Sequence, residues 1–193
     1  MIRTIVIEDK LTELFAMLPS MDGYEPVFGY GDEKELNAFL KHRQRVKPYP
    51  LIWLLYPYTE THGKKKVELQ NLSFILSVQT NSSMQNHERL KVTYEKVLYP
   101  LLDNIRSLFK RSNIVNTDSS YEIIKYPNYS STDEGIEHAG TFIWDAMKIS
   151  VTLSLNDACI SQVAFGNRVL VRHNMPNPIK VKLIDTSIDL FKI

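Results

Sequence analysis

Apolar residues Ile7, Leu11, Leu14, Phe15 and Leu18 recur at steps of three and four, the spacing of one buried helical face, and predict a helix closed by Pro19. A second helix is expected from about Asp32 to Arg45. There Leu36, Phe39 and Leu40 follow the acidic start Asp32-Glu33-Lys34-Glu35 and precede Lys41, Arg43, Arg45 and Lys47. An acidic first turn and a basic last turn suit the helix dipole, and the Asp32 carboxylate can accept from the exposed first amides. Between prolines, Tyr49-Pro50-Leu51-Ile52-Trp53-Leu54-Leu55-Tyr56-Pro57 reads as a strand buried on both faces. Leu72, Phe74, Leu76 and Val78 alternate with Asn71, Ser73, Ile75 and Ser77, the period of a strand with one buried face. A loop turning at Thr61 to Lys65 would join these two strands as an antiparallel hairpin.

After Ser82 and Ser83, the positions Leu90, Tyr94, Val97, Leu101, Ile105 and Leu108 give the longest helical pattern, which should kink or restart near Tyr99. Pro100 lacks an amide hydrogen and clashes with the preceding turn. Residues 112–140 are rich in Ser, Thr, Asn and Asp, with an edge strand expected only at Tyr121 to Tyr126. Met147, Ile149, Val151, Leu153 and Leu155 then alternate with Lys148, Ser150, Thr152 and Ser154, a strand with one side on the core and one in water. Three further strand-like pieces, Ile160 to Phe165, Arg168 to Arg172 and Lys180 to Phe191, extend the sheet or form a tail that docks elsewhere. The fold class is therefore α/β (α+β): a mostly antiparallel or mixed sheet flanked by helices, over residues 1–156. A β-rich C-terminal extension or arm follows over residues 157–193.

Composition narrows the classes. The chain has 193 residues with 44% apolar content, which excludes a disordered, collagenous or coiled-coil array. Its 23 basic and 22 acidic residues leave a formal charge of +1, so no overall field draws it to nucleic acid or an anionic membrane. The single cysteine, Cys159, excludes an internal disulfide and fits a reducing compartment. Acidic residues at Glu8 and Asp9 arrive too early for a signal-peptide core, so no export is expected. The apolar run from Leu51 to Tyr56 is far short of the roughly 18 residues of a membrane span.

Candidate chemistry is sparse. Gly29-Tyr30-Gly31 is followed by Lys34 where a dinucleotide fingerprint needs glycine, and it reads as a turn. Neither a phosphate-cradling Gly-x-x-x-x-Gly-Lys run nor a Gly-x-Ser-x-Gly elbow is present. His42, His62, His87, His138 and His173 are scattered, and His87 reads as a solvated residue at a helix start. Cys159 beside Ala158 and Ile160 reads as a small buried side chain rather than a nucleophile. The best case for a metal-dependent nuclease pairs Asp145 with Glu122 or Glu68 and Lys148, although acids on the wet face of a strand are usually solvated. Lys64, Lys65 and Lys66 would sit at a hairpin tip, keeping it soluble. The ten tyrosines, among them Tyr24, Tyr30, Tyr56, Tyr58, Tyr126 and Tyr129, suit contacts with other proteins, because tyrosine buries a large ring while its hydroxyl still bonds.

The order of elements resembles the lambda-type tail terminators of tailed bacteriophages. The likeness runs over roughly residues 5–155. It is carried by Tyr49-Pro50-Leu51-Ile52-Trp53-Leu54, by Leu69 to Val78, by Val97-Leu98-Tyr99-Pro100-Leu101-Leu102-Asp103-Asn104-Ile105 and by Trp144 to Leu155. The polar insertion before the late strand and the residues after Leu155 depart from the compact members of that family. The resemblance implies a non-enzymatic structural protein without cofactor or metal, a tail completion or neck component of the virion assembled in the host cytoplasm. Such a protein forms a homo-oligomeric ring of six or twelve copies at the head–tail junction, contacts other neck, connector or tail proteins, and lets DNA pass without gripping it; no membrane is involved. Expected contact residues are Tyr58, Lys64, Lys65, Lys66, Tyr126, Tyr129, Phe165 and Phe191, and the tail after Asn156. The alternatives are the metal-dependent nuclease built on Asp145 and Glu122, and a non-viral protein-binding adaptor module.

Overall fold

The computed structural model describes residues 6–21, 25–43, 50–63, 66–81, 83–112, 114–117, 120–127, 129, 142–156, 162–165, 168–171 and 182–185. Its centre is a seven-stranded mixed sheet with helices on both faces. Helix α1 (Ile7–Phe15) buries Ile7, Leu11, Leu14 and Phe15, as the spacing predicts. Strand β1 (Val27–Gly31) follows, then helix α2 (Glu33–Arg43) and strand β2 (Leu51–Leu55), which lies parallel to β1 with Val27 beside Leu51. Strands β3 (Thr59–His62) and β4 (Lys66–Asn81) form an antiparallel hairpin. A helical stretch of three parts comes next: α3 (Asn86–Arg89), a π-helix (Leu90–Leu98) and α4 (Tyr99–Arg111). Strands β5 (Val115–Thr117), β6 (Glu122–Tyr126) and β7 (Phe142–Asn156) complete the sheet. The order across it is β1-β2-β4-β7-β5, with β3 paired to β4 and β6 paired to β7. Among the described residues of this sheet, only the β1–β2 pair is parallel.

The two faces explain the apolar patterns. Ile52 and Leu54 of β2 join Leu72, Phe74, Leu76 and Val78 of β4 and Met147, Ile149, Val151, Leu153 and Leu155 of β7 in the larger core, beneath α1, the π-helix and α4. Leu51, Trp53 and Leu55 point the other way and pack with Ile75, Trp144 and Ala146 against Leu36 and Leu40 of α2. A strand covered on both sides has no polar alternate positions, which is why β2 reads as an unbroken apolar run. The middle of β4 is likewise buried on both faces from Phe74 to Val78, a correction to its expected single buried face.

Strand β4 also changes parity. Val67 and Leu69 share the core face with Leu72 and Phe74, an odd step that a regular strand cannot make. A β-bulge between Leu69 and Leu72 absorbs the extra residue against β7, with Asn71 at φ 58°. Asparagine tolerates that left-handed conformation better than most residues.

Pro100 stands in the first turn of α4, where its missing amide is harmless, and α4 starts at Tyr99 as expected. What precedes it is wider than an α-helix: the Tyr99 amide donates to the Tyr94 carbonyl, five residues back. The wider turn rotates the buried side. Arg89, Thr93, Tyr94 and Leu98 face inward, whereas Leu90, expected in the core, is 41% exposed.

Three other expectations are corrected. Gly29-Tyr30-Gly31 lies inside β1 and is not a turn. Thr59–His62, expected as loop, is a strand whose four residues are all exposed, and it intervenes between β2 and β4. Asp145 lies on the core side of β7, not in water. In the extension, β8 (Gln162–Phe165), β9 (Arg168–Val171) and β10 (Lys182–Asp185) form a separate antiparallel sheet in the order β10-β9-β8.

Candidate interaction surface

The two ends of the large sheet differ in chemistry. At one end, β1 pairs only with β2 among the described residues. The Val27 amide donates to the Pro50 carbonyl and the Gly31 carbonyl accepts from the Tyr56 amide, so residues 27, 29 and 31 direct their backbone groups toward β2. By the alternation of a strand, the N–H and C=O groups of Phe28 and Tyr30 point outward, along the open edge.

Glycine at 29 and 31 lets this edge form. A Cβ at Gly29 would stand 2.6 Å from the Trp53 ring, which fills that side of the strand and donates its indole N–H to the Gly31 carbonyl at 3.2 Å. Gly31 has φ +144°, a conformation that side-chain-bearing residues rarely adopt, and the Glu35 carboxylate occupies the position of its missing Cβ. Glu35 is held there by a reciprocal cap: its carboxylate accepts from the Asp32 amide at 3.0 Å, while Asp32 Oδ1 accepts from the Glu35 amide at 2.8 Å.

On the opposite face of β1 a chain of rings leads from the core to solvent. Phe74 meets Phe15 edge-on at 5.7 Å, Phe15 meets Phe28 at 4.9 Å, and Phe28, Tyr30, Tyr56 and Tyr58 follow at 6.3, 6.2 and 5.6 Å. Tyr30 is 49% exposed and Tyr56 36%. Glu8 Oε1 accepts from both the Tyr56 hydroxyl, at 2.6 Å, and the Tyr58 hydroxyl, at 2.7 Å. Burial, these hydrogen bonds and the negative charge of Glu8 push both phenols above the ordinary tyrosine range; Glu35 adds to the effect at Tyr56 and Glu60 at Tyr58. Burial raises the carboxyl of Glu8, but hydrogen bonds from the two phenols outweigh it and leave it below the usual range. This edge is therefore aromatic and acidic.

The other end is basic on balance: Arg106, Lys110 and Lys125 outnumber its acids, Glu122 of β6 and Asp103, whose carboxylate lies 3.8 Å from Arg106. Strands β5 and β6 pair only with β7 among the described residues. Lys125 lies over Tyr99 at 5.0 Å and Tyr94 at 5.6 Å, and Arg106 lies over Tyr121 at 4.8 Å. Beside β5, an open cleft of about 610 Å³ is lined by Arg106, Phe109, Lys110, Val115, Asn116, Thr117 and Tyr121, whose only charged members are the two cations. Ile124 of β6 is 40% exposed.

Of the expected contact residues, Tyr58 is half-buried against Glu8. Lys66 starts β4 and bonds to Glu68, whereas Lys64 and Lys65 lie outside the described residues. Tyr126, half-buried at the end of β6, meets buried Tyr129 edge-on at 5.6 Å, and Tyr129 belongs to the core cluster under α2. Phe165 closes β8 and Phe191 lies outside the described residues, as does Cys159.

The nuclease candidates are not brought together. Asp145 is fully buried, and its Oδ1 accepts from Arg89 at 2.7 Å. The Thr93 hydroxyl, a single donor, stands 2.9 Å from Asp145 Oδ2 and 2.6 Å from the Arg89 carbonyl. Arg89 also donates to the carbonyls of Met84 and Asn81, each at 3.0 Å. Glu122 lies opposite Ser150, five residues along β7 from Asp145, and Glu68 opposite Ser154, farther still. Among the described residues no group of three or more His, Cys, Asp or Glu gathers as a metal site, and no helix is long and apolar enough to cross a membrane. His62 bonds to Glu60 at 2.7 Å and His87 is exposed in α3.

The sequence reading missed the β1 edge because glycine and tyrosine in alternation resemble a turn. It missed the buried ion pair although the signal was present: Asp145 shares parity with Met147 and Ile149, and so must face the core. Compared with protein-family models and with curated protein sequences, the chain matches none.

Proposed function

We propose that this chain is a structural assembly protein of a tailed phage, a tail-terminator-like or neck component that closes into a ring at the head–tail junction and joins tail to head while DNA passes through the lumen. The observation that carries the reading is a sheet ending in two unlike open edges, β1 on one side and β5 with β6 on the other. A subunit with different sticky surfaces on opposite sides assembles head to tail, and such contacts close into a ring when the rotation per subunit divides a full turn. The element order of residues 5–155, which resembles the tail terminators, supports the phage assignment. The near-neutral charge suits a conduit that does not retain phosphates.

Native mass spectrometry with negative-stain imaging over a concentration series tests this reading. A single closed mass of six or twelve copies, with a visible central hole, is the expected result. A strict monomer at every concentration, also in the presence of isolated phage tails, overturns it. Deleting residues 157–193 then tests the arm: unchanged ring mass and unchanged tail attachment with folding intact would remove it from the assembly contacts.

A further inference from the structure

We infer that the ring is built by strand addition between copies: the acidic, aromatic β1 edge of one copy docks on the basic edge formed by β6 and α4 of the next. This rests on the ring reading and specifies the surface through which it closes. Three observations support it. The two edges lie at opposite ends of one sheet, and β1 (Val27–Gly31) and β6 (Glu122–Tyr126) are strands of equal length. Along β1, Phe28 and Tyr30 offer outward backbone groups, and main-chain pairing at such an edge supplies affinity without a deep pocket.

The charges are complementary on the same face of the sheet. Phe28 and Ile123 both pack against the core that lies under α1 and α4, so Tyr30, two residues from Phe28, and Lys125, two residues from Ile123, stand on that face as well. There Tyr30, Tyr56 and Glu8 of one copy meet Arg106, Lys110 and Lys125 of its neighbour. The cleft beside β5 gives the exposed phenol rings of Tyr30 and Tyr56 a place to be covered, between cationic groups that favour aromatic faces. An acidic edge disfavours a second acidic edge, so the same chemistry that joins unlike edges opposes a two-fold dimer through β1.

The test uses two full-length variants on a Cys159→Ser background, one carrying Tyr30→Cys and the other Lys125→Cys, two positions on the same face of the sheet. Both replaced side chains are exposed, so neither change removes core packing. Each variant is mixed with the other under mild oxidation, and native mass spectrometry of the unoxidised Cys159→Ser protein reports assembly in parallel. The expected result is a disulfide between Tyr30→Cys and Lys125→Cys chains, with few links within either variant alone, and slowed hydrogen exchange at the Phe28 and Tyr30 amides on assembly. Disulfides within the Tyr30→Cys variant alone would show an isologous β1 contact and overturn the inference. A ring without the mixed disulfide and without protection of those amides overturns it too, while leaving the ring reading intact. A monomer under all conditions removes both. Tyr30→Glu places a further carboxylate opposite Arg106 and Lys110 and should weaken assembly far less than Lys125→Glu combined with Arg106→Glu. Restoration by mixing Tyr30→Arg with the doubly acidic variant is the expected rescue, and failure of that pair to assemble overturns the proposed charge pairing.

Discussion

Arg89 and Asp145 form an ion pair sealed from water, 2.7 Å apart and only 2% and 0% exposed, between the end of α3 and the core face of β7. The pair's own remaining polar atoms are met: the Arg89 fork reaches two carbonyls and the second Asp145 oxygen lies 2.9 Å from the Thr93 hydroxyl. The pair pins the start of the π-helix to the sheet.

Removing one partner strands the other charge in the core. Asp145→Leu and Arg89→Met are each expected to lower unfolding stability by about 3–5 kcal/mol. Combining Arg89→Met with Asp145→Leu should destabilise by much less than the sum, because no unpaired charge remains. Urea unfolding of the four proteins in a double-mutant cycle measures this, and additivity would refute the coupling.

The Glu8 cluster links stability to pH at both extremes. The Glu8 carboxyl is lowered in the folded state, so its contribution is present above its ordinary value of 4.5 and disappears as pH falls through the lower folded value. The phenols of Tyr56 and Tyr58 are raised, so theirs is fully present below pH 10 and disappears as the solution becomes more alkaline. In Glu8→Gln the urea midpoint should vary less with pH below 4.5 and above 10 than in the parent. Equal pH dependence in the two proteins would contradict the assignment.

Alanine at either strand glycine should damage β1 for different reasons. At Gly29 the new methyl meets the Trp53 ring, an overpacking expected to lower stability by about 1–3 kcal/mol. At Gly31 it requires a strained backbone and displaces Glu35, with a loss of about 1–3 kcal/mol. Trp53 fluorescence should report the first change more strongly than the second.

Asp32→Ala removes the acceptor of the α2 cap and is expected to reduce stability by about 0.5–2 kcal/mol. Asp32→Ser retains an acceptor and should recover most of that loss. Thermal unfolding of the two variants distinguishes a capping role from a general effect of charge.

Much of this architecture is legible in the sequence alone. The α1 stripe, the Asp32 cap, the doubly buried β2 and the inward residues of β7 follow from spacing alone. The bulge was also written in the chain, as the shift from odd to even apolar positions between Leu69 and Leu72. The π-helix was not, because no local residue pattern marks its wider turn, and the bonds of Arg89 and Thr93 to Asp145 beside it join positions distant in sequence. Nor was the open edge, whose glycines make sense only with Trp53 and Glu35 in place. The tyrosine count pointed toward a contact surface, but only the fold shows that Tyr30 and Tyr56 share one patch while Tyr129 is enclosed.

The pairing of β4 with β7 sets a timetable for the chain. Asn81 pairs with Phe142 and Lys66 with Asn156, so the central seam of the sheet closes a long loop that holds the whole helical stretch and both short strands. The β1–α2–β2 unit, by contrast, closes between near neighbours in sequence. Loop-closure entropy therefore puts the seam late, and until it closes the apolar positions of β4 lack a cover on one side. Pulse-labelled hydrogen exchange should find the amides of β1 and β2 protected before those of Val78 and Trp144. Newly made chains would then pass through a stage in which the longest strand is adhesive, before the edges intended for neighbours have taken shape.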